Sequence, residues 1–269
     1  MTDTEAVRSC LTVVTGAVEG EGATEVTVEM AVALRERGES VVVVDADLVA
    51  PSLAQRLRVP FDRNLNTAVD AVVHHSGYVS DALSPTPTGG FEVLAGFEHP
   101  KKWTDLDAED LLAVLDELRL MRRHVLVNVG SSLENLPCDR HAVARATVAA
   151  ADRVVVVADA SPTGIERLTR WLVDAAEITG LERIHVAFNR CRSRDAEQQL
   201  GFELLRNASV AGTTRLPADP KVHTAGWAGD VVAPGRFTKA VARLVDDALP
   251  RTFEARRRRR PIGRAKARS

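Results

Sequence analysis

A glycine-rich segment near the amino end of the chain has the composition of an anion-binding loop. It reads Gly16-Ala17-Val18-Glu19-Gly20-Glu21-Gly22-Ala23-Thr24 and lies between an apolar run and a stretch with helical periodicity. At such a place backbone N–H groups and the amino end of a helix surround a phosphate, and a lysine adds positive charge. Here the segment has no lysine, while Glu19, Glu21 and the adjacent Glu25 add three negative charges. The segment therefore has the backbone pattern of phosphate binding without its usual cation.

A second concentration of charge lies at the carboxyl end. Residues 251–269 contain nine basic residues and one acid, so this tail carries +8 while residues 1–250 carry −10. The residues that we expect to bind an anionic partner are Arg256, Arg257, Arg258, Arg259, Arg260, Arg264, Lys266 and Arg268. The tail has no interleaved aromatic residues and no apolar helix face, which favours contact with the phosphates of nucleic acid, or with anionic lipid, over base stacking or membrane insertion. A solvated tail without a partner is the alternative.

Apolar runs and helical stretches alternate along the rest of the chain. The predicted strands are Leu11–Thr15, Val41–Val44, Phe91–Leu94, His124–Val129, Val154–Ala158, Ile184–Phe188 and Thr213–Leu216. The predicted helices are Thr24–Arg37, Ala108–Met121, Cys138–Ala150, Thr163–Thr179, Asp195–Ala208 and Phe237–Leu249. Continuous valine runs are typical of parallel strands that are buried on both faces. The pattern predicts an α/β fold with a doubly wound, mostly parallel sheet and helices on both faces.

Composition also predicts the organisation of the chain and its compartment. We expect one domain over residues 1–250 and a basic tail over residues 251–269 that is disordered from Arg256 onward. Leu83–Gly90 is predicted to be a mobile surface loop because it is rich in Pro, Thr and Gly. The three unclustered cysteines and seven scattered histidines do not predict a zinc site. Because no apolar run is long enough to cross a bilayer, a cytoplasmic protein is expected, associated with the nucleoid or a membrane surface if the tail binds there.

The glycine-rich segment and the strand end Asp45-Ala46-Asp47 together resemble the ParA/MinD family of P-loop positioning ATPases. The resemblance runs over about residues 10–250 and is closer to the CpaE-like branch found in pilus-assembly and septum-associated systems. It implies a P-loop NTPase fold with ATP and Mg²⁺ as ligands. Gly20, Gly22, Ala23 and Thr24 would then lie in the phosphate loop.

Several other residues match family motifs and acquire roles from the resemblance. Thr24 and Asp45 would hold Mg²⁺, and Asp47 would position the attacking water if the site is active. The resemblance further places Asn189, Arg190 and Pro217 around the adenine base. A structural interpretation stays open, in which Thr24 caps a helix and both aspartates cap the turn after their strand. Gly20 and Gly22 are needed for a tight turn under either interpretation.

The departures from the family pattern concern charge. The family loop, the Walker A motif, reads Lys-Gly-Gly-x-Gly-Lys-Thr, and Val18 and Ala23 stand at its two lysine positions. Asn128 stands where the family has an acidic residue that supports Mg²⁺ through water. Each misplaced carboxylate weakens binding of a triphosphate, because unit charges ~4 Å apart repel by ~1 kcal/mol in water and more at lower dielectric. The loop is thus predicted to be degenerate, and phosphoryl transfer depends on the positive charge that it lacks.

Two classes of function follow from this pattern. The first is a pseudo-ATPase, a non-hydrolysing adaptor that docks protein partners in a pilus, secretion, septum or DNA-partitioning system. The alternative is an active ATPase that tolerates the deviant loop. A homodimer fits either class, and in the first it would be indifferent to nucleotide.

Overall fold

Runs of β-branched residues form the centre of a parallel sheet in a computed structural model, which describes residues 9–135, 140–192 and 208–250. The strands are β1 (Cys10–Gly16), β2 (Val41–Ala46), β3 (Ser84–Pro85), β4 (Glu92–Leu94), β5 (His124–Val129), β6 (Arg153–Asp159), β7 (Ile184–Cys191) and β8 (Gly212–Pro217). Their order across the sheet is β3-β4-β2-β5-β1-β6-β7-β8. All neighbours are parallel except β3 and β4 at one edge, so the predicted mostly parallel sheet is confirmed.

Helices cover both faces of this sheet. They are α1 (Ala23–Glu36), α2 (Leu53–Leu57), α3 (Leu65–Val72), α4 (Ala108–Met121), α5 (Ala142–Ala150), α6 (Pro162–Ala176), α7 (Pro220–Ala228) and α8 (Arg236–Ala248). One hydrophobic core packs α3, α4, α5 and α6 against the sheet. The other core packs α1, α2, α7 and α8 against the opposite face. Among the described helices none has the length and apolarity to span a membrane.

The predicted elements agree with the structure except in four places. The predictions did not include α2, α3, α7 or β3. Three predicted features lie outside the described residues. They are the start of the predicted helix Cys138–Ala150, the predicted helix Asp195–Ala208 except for its last residue, and the tail 251–269. The domain boundary near residue 250 therefore stays a prediction.

The predicted surface loop Leu83–Gly90 is wrong for its first half. Leu83 and Ser84 are buried, and Ser84–Pro85 pairs antiparallel with β4. The Thr86 hydroxyl donates a hydrogen bond to the carbonyl oxygen of Phe91 at 2.8 Å. Pro85 is tolerated because β3 is an edge strand, where a missing N–H costs no ladder bond.

A carboxylate is buried where α1 meets the segment that joins α7 to α8. Glu29 is 2% exposed, and its Oε1 accepts a hydrogen bond from the backbone N–H of Val232 at 2.7 Å. Burial raises the pKa of Glu29 to about 7, and the carboxylates of Glu25 and Glu36 add to that effect. The Val232 N–H and the Arg56 guanidinium oppose it. Ionised Glu29 is thus a charge that the folded state accommodates poorly.

Glu29→Gln is expected to change the pH dependence of stability. Folding raises the pKa of Glu29. The protonated side chain therefore contributes fully to the stability of the fold when the pH is below the ordinary pKa of a glutamate, and this contribution is lost as the pH rises toward about 7. The amide keeps the Oε1 acceptor for Val232 and cannot ionise. Urea unfolding between pH 5 and 8 should therefore show a variant that gains stability over the wild type as pH rises. Glu117→Gln, on an exposed face of α4, is the control. Identical pH profiles for Glu29→Gln and the wild type would contradict this account.

Candidate functional site

The end of the glycine-rich loop after β1, the carboxyl ends of β7 and β8, and helix α7 surround a cavity of about 660 Å³. In open α/β sheets ligands bind outside the carboxyl ends of the strands. Four of the residues predicted from the sequence line this cavity, namely Gly22, Asn189, Arg190 and Pro217. The structure therefore brings Gly22 of the predicted phosphate loop together with all three residues that the resemblance assigns to the adenine base, whereas Gly20, Ala23 and Thr24 are not among the residues that line the cavity.

The glycine-rich loop makes a tight turn before α1. Gly20 and Gly22 have φ values of 82° and 95°, in the left-handed region that favours glycine. Gly22 is the N-cap of α1, and no side chain caps this end of the helix. Thr24 is the second residue of α1, so the prediction that Thr24 is the N-cap is wrong. Its hydroxyl lies 3.0 Å from the Ser52 hydroxyl instead.

The end of β7 holds the loop through two backbone carbonyl groups. Asn189 Nδ2 donates to the Glu21 carbonyl oxygen at 2.8 Å, and Arg190 Nη2 donates to the Gly20 carbonyl oxygen at 2.8 Å. Asn189 Oδ1 accepts from the backbone N–H of Arg190. Both side chains predicted to contact a base therefore line the cavity while they donate hydrogen bonds to the loop.

The three glutamates of this region have three different environments. Glu19 is exposed. Glu21 is 6% exposed, and burial raises its pKa, as does the negative charge of Asp159. Arg190 lowers that pKa, followed by a hydrogen bond from the Asp159 backbone and by Arg167. Glu25 pairs with the guanidinium of Arg56. The charge of Glu25, predicted to weaken anion binding, is thus compensated by a cation that the sequence did not reveal.

Asp45 and Asp47 cap the segment after β2, as the structural interpretation predicts. Asp45 Oδ2 accepts from the N–H groups of Ser52 and Leu53 at 2.9 and 2.8 Å, and Asp45 Oδ1 accepts from the Asp47 N–H at 3.3 Å. Asp47 Oδ1 accepts from the N–H groups of residues 49 and 50, both at 2.9 Å. Burial raises the pKa of Asp45 to about 6 and the Asp47 carboxylate adds to the rise, while these N–H bonds oppose it. Both carboxylates therefore have structural roles.

The predicted Mg²⁺ ligands are engaged by other protein groups in this arrangement. Thr24 contacts Ser52, and both carboxylate oxygens of Asp45 accept backbone hydrogen bonds. Asn128, beside Asp45 in the sheet, is neutral, and its buried Oδ1 has no hydrogen-bond partner in the part of the chain that the structure describes. Together with Val18 and Ala23 at the lysine positions, these residues do not fit a Mg²⁺–triphosphate group.

Sequence reasoning missed Arg56 and helix α7, which form much of the cavity wall. Arg56 lies 31 positions from Glu25, and no local pattern links the two. On α7, Trp227 is 77% exposed beside the cavity, and its Nε1 donates to His223 Nε2 at 3.0 Å. Asp219 at the N-cap of α7 accepts from the Lys221 N–H, and Pro220 follows it. An Asp-Pro start of this kind is the signal that would have revealed α7.

Replacing each loop glycine by alanine separates backbone strain from contact with Asn189. Both variants place a side chain at positive φ, which costs about 1–2 kcal/mol. A Cβ at Gly22 would also lie 2.5 Å from Asn189 Nδ2, whereas a Cβ at Gly20 meets nothing within 4 Å. Gly22→Ala should therefore lower the free energy of unfolding, measured in urea, by clearly more than Gly20→Ala. Equal losses would show that Asn189 does not hold the loop as described.

Comparison with known proteins gives the family of the chain. The model of the CobQ/CobB/MinD/ParA nucleotide binding domain matches residues 12–231. The fold is similar to that of the ParA family ATPase from Chlorobium tepidum TLS, with a TM-score of 0.73 and 16% identity over 88% of this chain and 98% of that one. For the Pyrococcus furiosus cell division ATPase MinD the TM-score is 0.69, with 20% identity over 89% and 98% of the two chains. For the Aquifex aeolicus MinC:MinD cell division protein complex the TM-score is 0.65, with 17% identity over 91% of this chain and 99% of that one. No curated protein matches the sequence. Because the family model spans most of its length, the chain belongs to the CobQ/CobB/MinD/ParA nucleotide binding domain family.

Proposed function

We propose that this protein is a ParA/MinD-like pseudo-ATPase of the CpaE-like branch that works as a non-hydrolysing adaptor in a positioning or assembly system. The observation that supports it is that the loop has no lysine and that both described arginines lining the cavity contact other groups of the chain. Apolar residues, Val18 and Ala23, stand at the lysine positions of the loop. Of the arginines that line the cavity, Arg56 pairs with Glu25 and Arg190 donates to the carbonyl oxygen of Gly20.

Charge decides between binding and exclusion of a triphosphate at such a site. Phosphoryl transfer is catalysed almost entirely by positioned positive charge and Mg²⁺. The loop here contributes a buried Glu21 and no cation. The family fold survives because neither core contains Val18 or Glu21, and Ala23 is a partly buried alanine that packs against one core. The chain then keeps the fold of a positioning ATPase without the ability to hydrolyse ATP.

The role of adaptor rests on the kind of surface that remains. The Aquifex aeolicus relative is a complex of MinD with MinC, a protein partner. In this chain Trp227 is exposed on α7, and large aromatic residues are enriched at protein interfaces. We expect a protein partner from a pilus, secretion, septum or DNA-partitioning system, and any homodimer should be indifferent to nucleotide.

A second candidate function is ATP binding by an unusual loop. It is favoured by the start of α1, which has no side-chain cap and whose N–H groups could donate to a phosphate. It is also favoured by Asn128 Oδ1, which has no partner among the described residues and could accept from water held by Mg²⁺. The residues that would hold ATP are those in and around the loop, with Asn189, Arg190 and Pro217 at the base.

ATP turnover by the purified protein tests the proposed function. We expect no release of phosphate above the buffer background, because the two arginines among the described residues that line the cavity are engaged, Arg56 by Glu25 and Arg190 by the Gly20 carbonyl oxygen. Asp47→Ala should have the same rate as the wild type. Turnover that Asp47→Ala abolishes would favour the active ATPase over the adaptor.

The basic tail is expected to bind an anionic surface independently of the cavity. Pro250, the last described residue, lines a hollow with Ser9 and Cys10 at the amino end of β1, whereas the glycine-rich loop follows its carboxyl end. Binding to duplex DNA should fall steeply with salt, with a log–log slope of about −5 to −7 for roughly six to eight phosphate contacts. A DNA shift assay at several salt concentrations measures this slope, and pelleting with anionic vesicles tests lipid as the alternative target.

Two variants act as controls for the tail. Deletion of residues 256–269 should remove binding without loss of folding, and replacement of Arg256–Arg260 by glutamine should weaken binding at unchanged length. If the truncated protein binds DNA or vesicles as well as the full chain, the tail is a solvated end.

A further inference from the structure

An ion pair forms part of the cavity wall immediately beyond the glycine-rich loop. Arg56 Nε and Nη2 donate to Glu25 Oε1 and Oε2 at 2.6 and 2.8 Å, a two-point contact between guanidinium and carboxylate. The side chain of Arg56 is 7% exposed and that of Glu25 is 22% exposed. Gly226 of α7 lies against the pair, because a Cβ there would be 3.6 Å from Glu25 Oε1 and 3.9 Å from Arg56 Nε. The pair therefore lies between the start of α1 and α7.

The position of Arg56 is fixed by the segment that carries it. The buried carboxylate of Asp45 accepts hydrogen bonds from the N–H groups of Ser52 and Leu53 at the start of α2. The Ser52 hydroxyl lies 3.0 Å from the hydroxyl of Thr24 at the start of α1. Two neighbouring contacts, Thr24 with Ser52 and Glu25 with Arg56, thus join the two helices beside the cavity.

The pair does not satisfy the whole guanidinium. Arg56 Nη1 is buried and has no hydrogen-bond partner among residues 9–135, 140–192 and 208–250. Arginine binds carboxylate and phosphate with the same planar fork of N–H groups, so the two anions compete for one guanidinium. In this chain a carboxylate that belongs to α1 itself occupies the fork.

We propose that Glu25 is a built-in anion that occupies Arg56 and thereby excludes phosphate groups from the cavity. The inference rests on the proposed function and names the contact responsible for it. Removing the charge of Glu25 leaves a buried guanidinium without its counter-ion, at the wall of a cavity that also contains Gly22 and Arg190. A ligand with a phosphate group then gains a bidentate partner that the wild type does not offer.

Thermal unfolding in the presence of inorganic pyrophosphate tests this inference. Glu25→Gln should show a Tm that rises with pyrophosphate, by about 3 °C at ten times its Kd, relative to sodium chloride of equal ionic strength. The wild type should show no rise. Glu19→Gln removes the same charge from an exposed position of the neighbouring glycine-rich loop and should behave as the wild type does. The double variant Glu25→Gln/Arg56→Gln should lose the response.

Three results would overturn the inference if Glu25→Gln folds, and a fourth applies if it does not. An equal rise of the wild-type Tm with pyrophosphate would mean that Glu25 does not block the cavity. A rise of the Tm of Glu19→Gln would mean that the net negative charge near the loop, and not the contact with Arg56, excludes pyrophosphate. A folded Glu25→Gln without a response would mean that Arg56 is not an anion site. If Glu25→Gln gives no cooperative transition, Glu25→Asp keeps the charge but shortens the reach to Arg56, and it should show a smaller rise that the wild type lacks. No rise with Glu25→Asp would then overturn the inference.

The outcome is separable from that of the proposed function. Hydrolysis of ATP by the wild type would refute the adaptor whatever the variants do. If the wild type does not hydrolyse ATP and the Tm of Glu25→Gln does not respond to pyrophosphate, the adaptor function stands and the proposed role of Glu25 is wrong.

Discussion

The buried carboxylate of Asp45 is the contact on which the arrangement of the candidate site depends. Asp45 is the penultimate residue of β2 and is 1% exposed, and its carboxylate accepts hydrogen bonds from the N–H groups of Ser52 and Leu53 at the start of α2. A carboxylate so far from water is tolerated only with such donors, so the start of α2 cannot move without a large cost. That constraint places Ser52 beside Thr24 and Arg56 beside Glu25. A residue that the family resemblance assigns to Mg²⁺ therefore organises a contact between two helices.

The fold could be predicted from the sequence because its signals are local. Valine runs such as Val41–Val44 and the helical periodicity after Thr24 report burial directly, and the parallel sheet follows from their alternation. Helix α2 has only five residues, too few for a periodic signal. The edge strand β3 was not predicted because it contains Pro85, and proline normally indicates a turn.

The candidate site could be predicted only in outline. Gly22 of the loop, Asn189 and Pro217 converge on one cavity, as the resemblance implies. The partners of these residues depend on long-range packing that no spacing reveals. Asn189 reaches the carbonyl of Glu21 across 168 positions, and Arg56 reaches Glu25 across 31. The sequence showed that the loop lacks lysines. It did not show that the two described arginines of the cavity, Arg56 and Arg190, contact Glu25 and the Gly20 carbonyl oxygen.

Fold and chemistry separate in this chain, because the two hydrophobic cores hold the sheet and helices together independently of the charges at the site. The arginines that line the site are engaged by groups of the chain itself, Arg56 by the Glu25 carboxylate and Arg190 by the Gly20 carbonyl oxygen. Calorimetric titration of Mg²⁺-ATP into the full-length wild-type protein tests that claim most directly. The account predicts no saturable heat of binding up to millimolar ATP. A saturable isotherm with one ATP per chain and a micromolar Kd would contradict it.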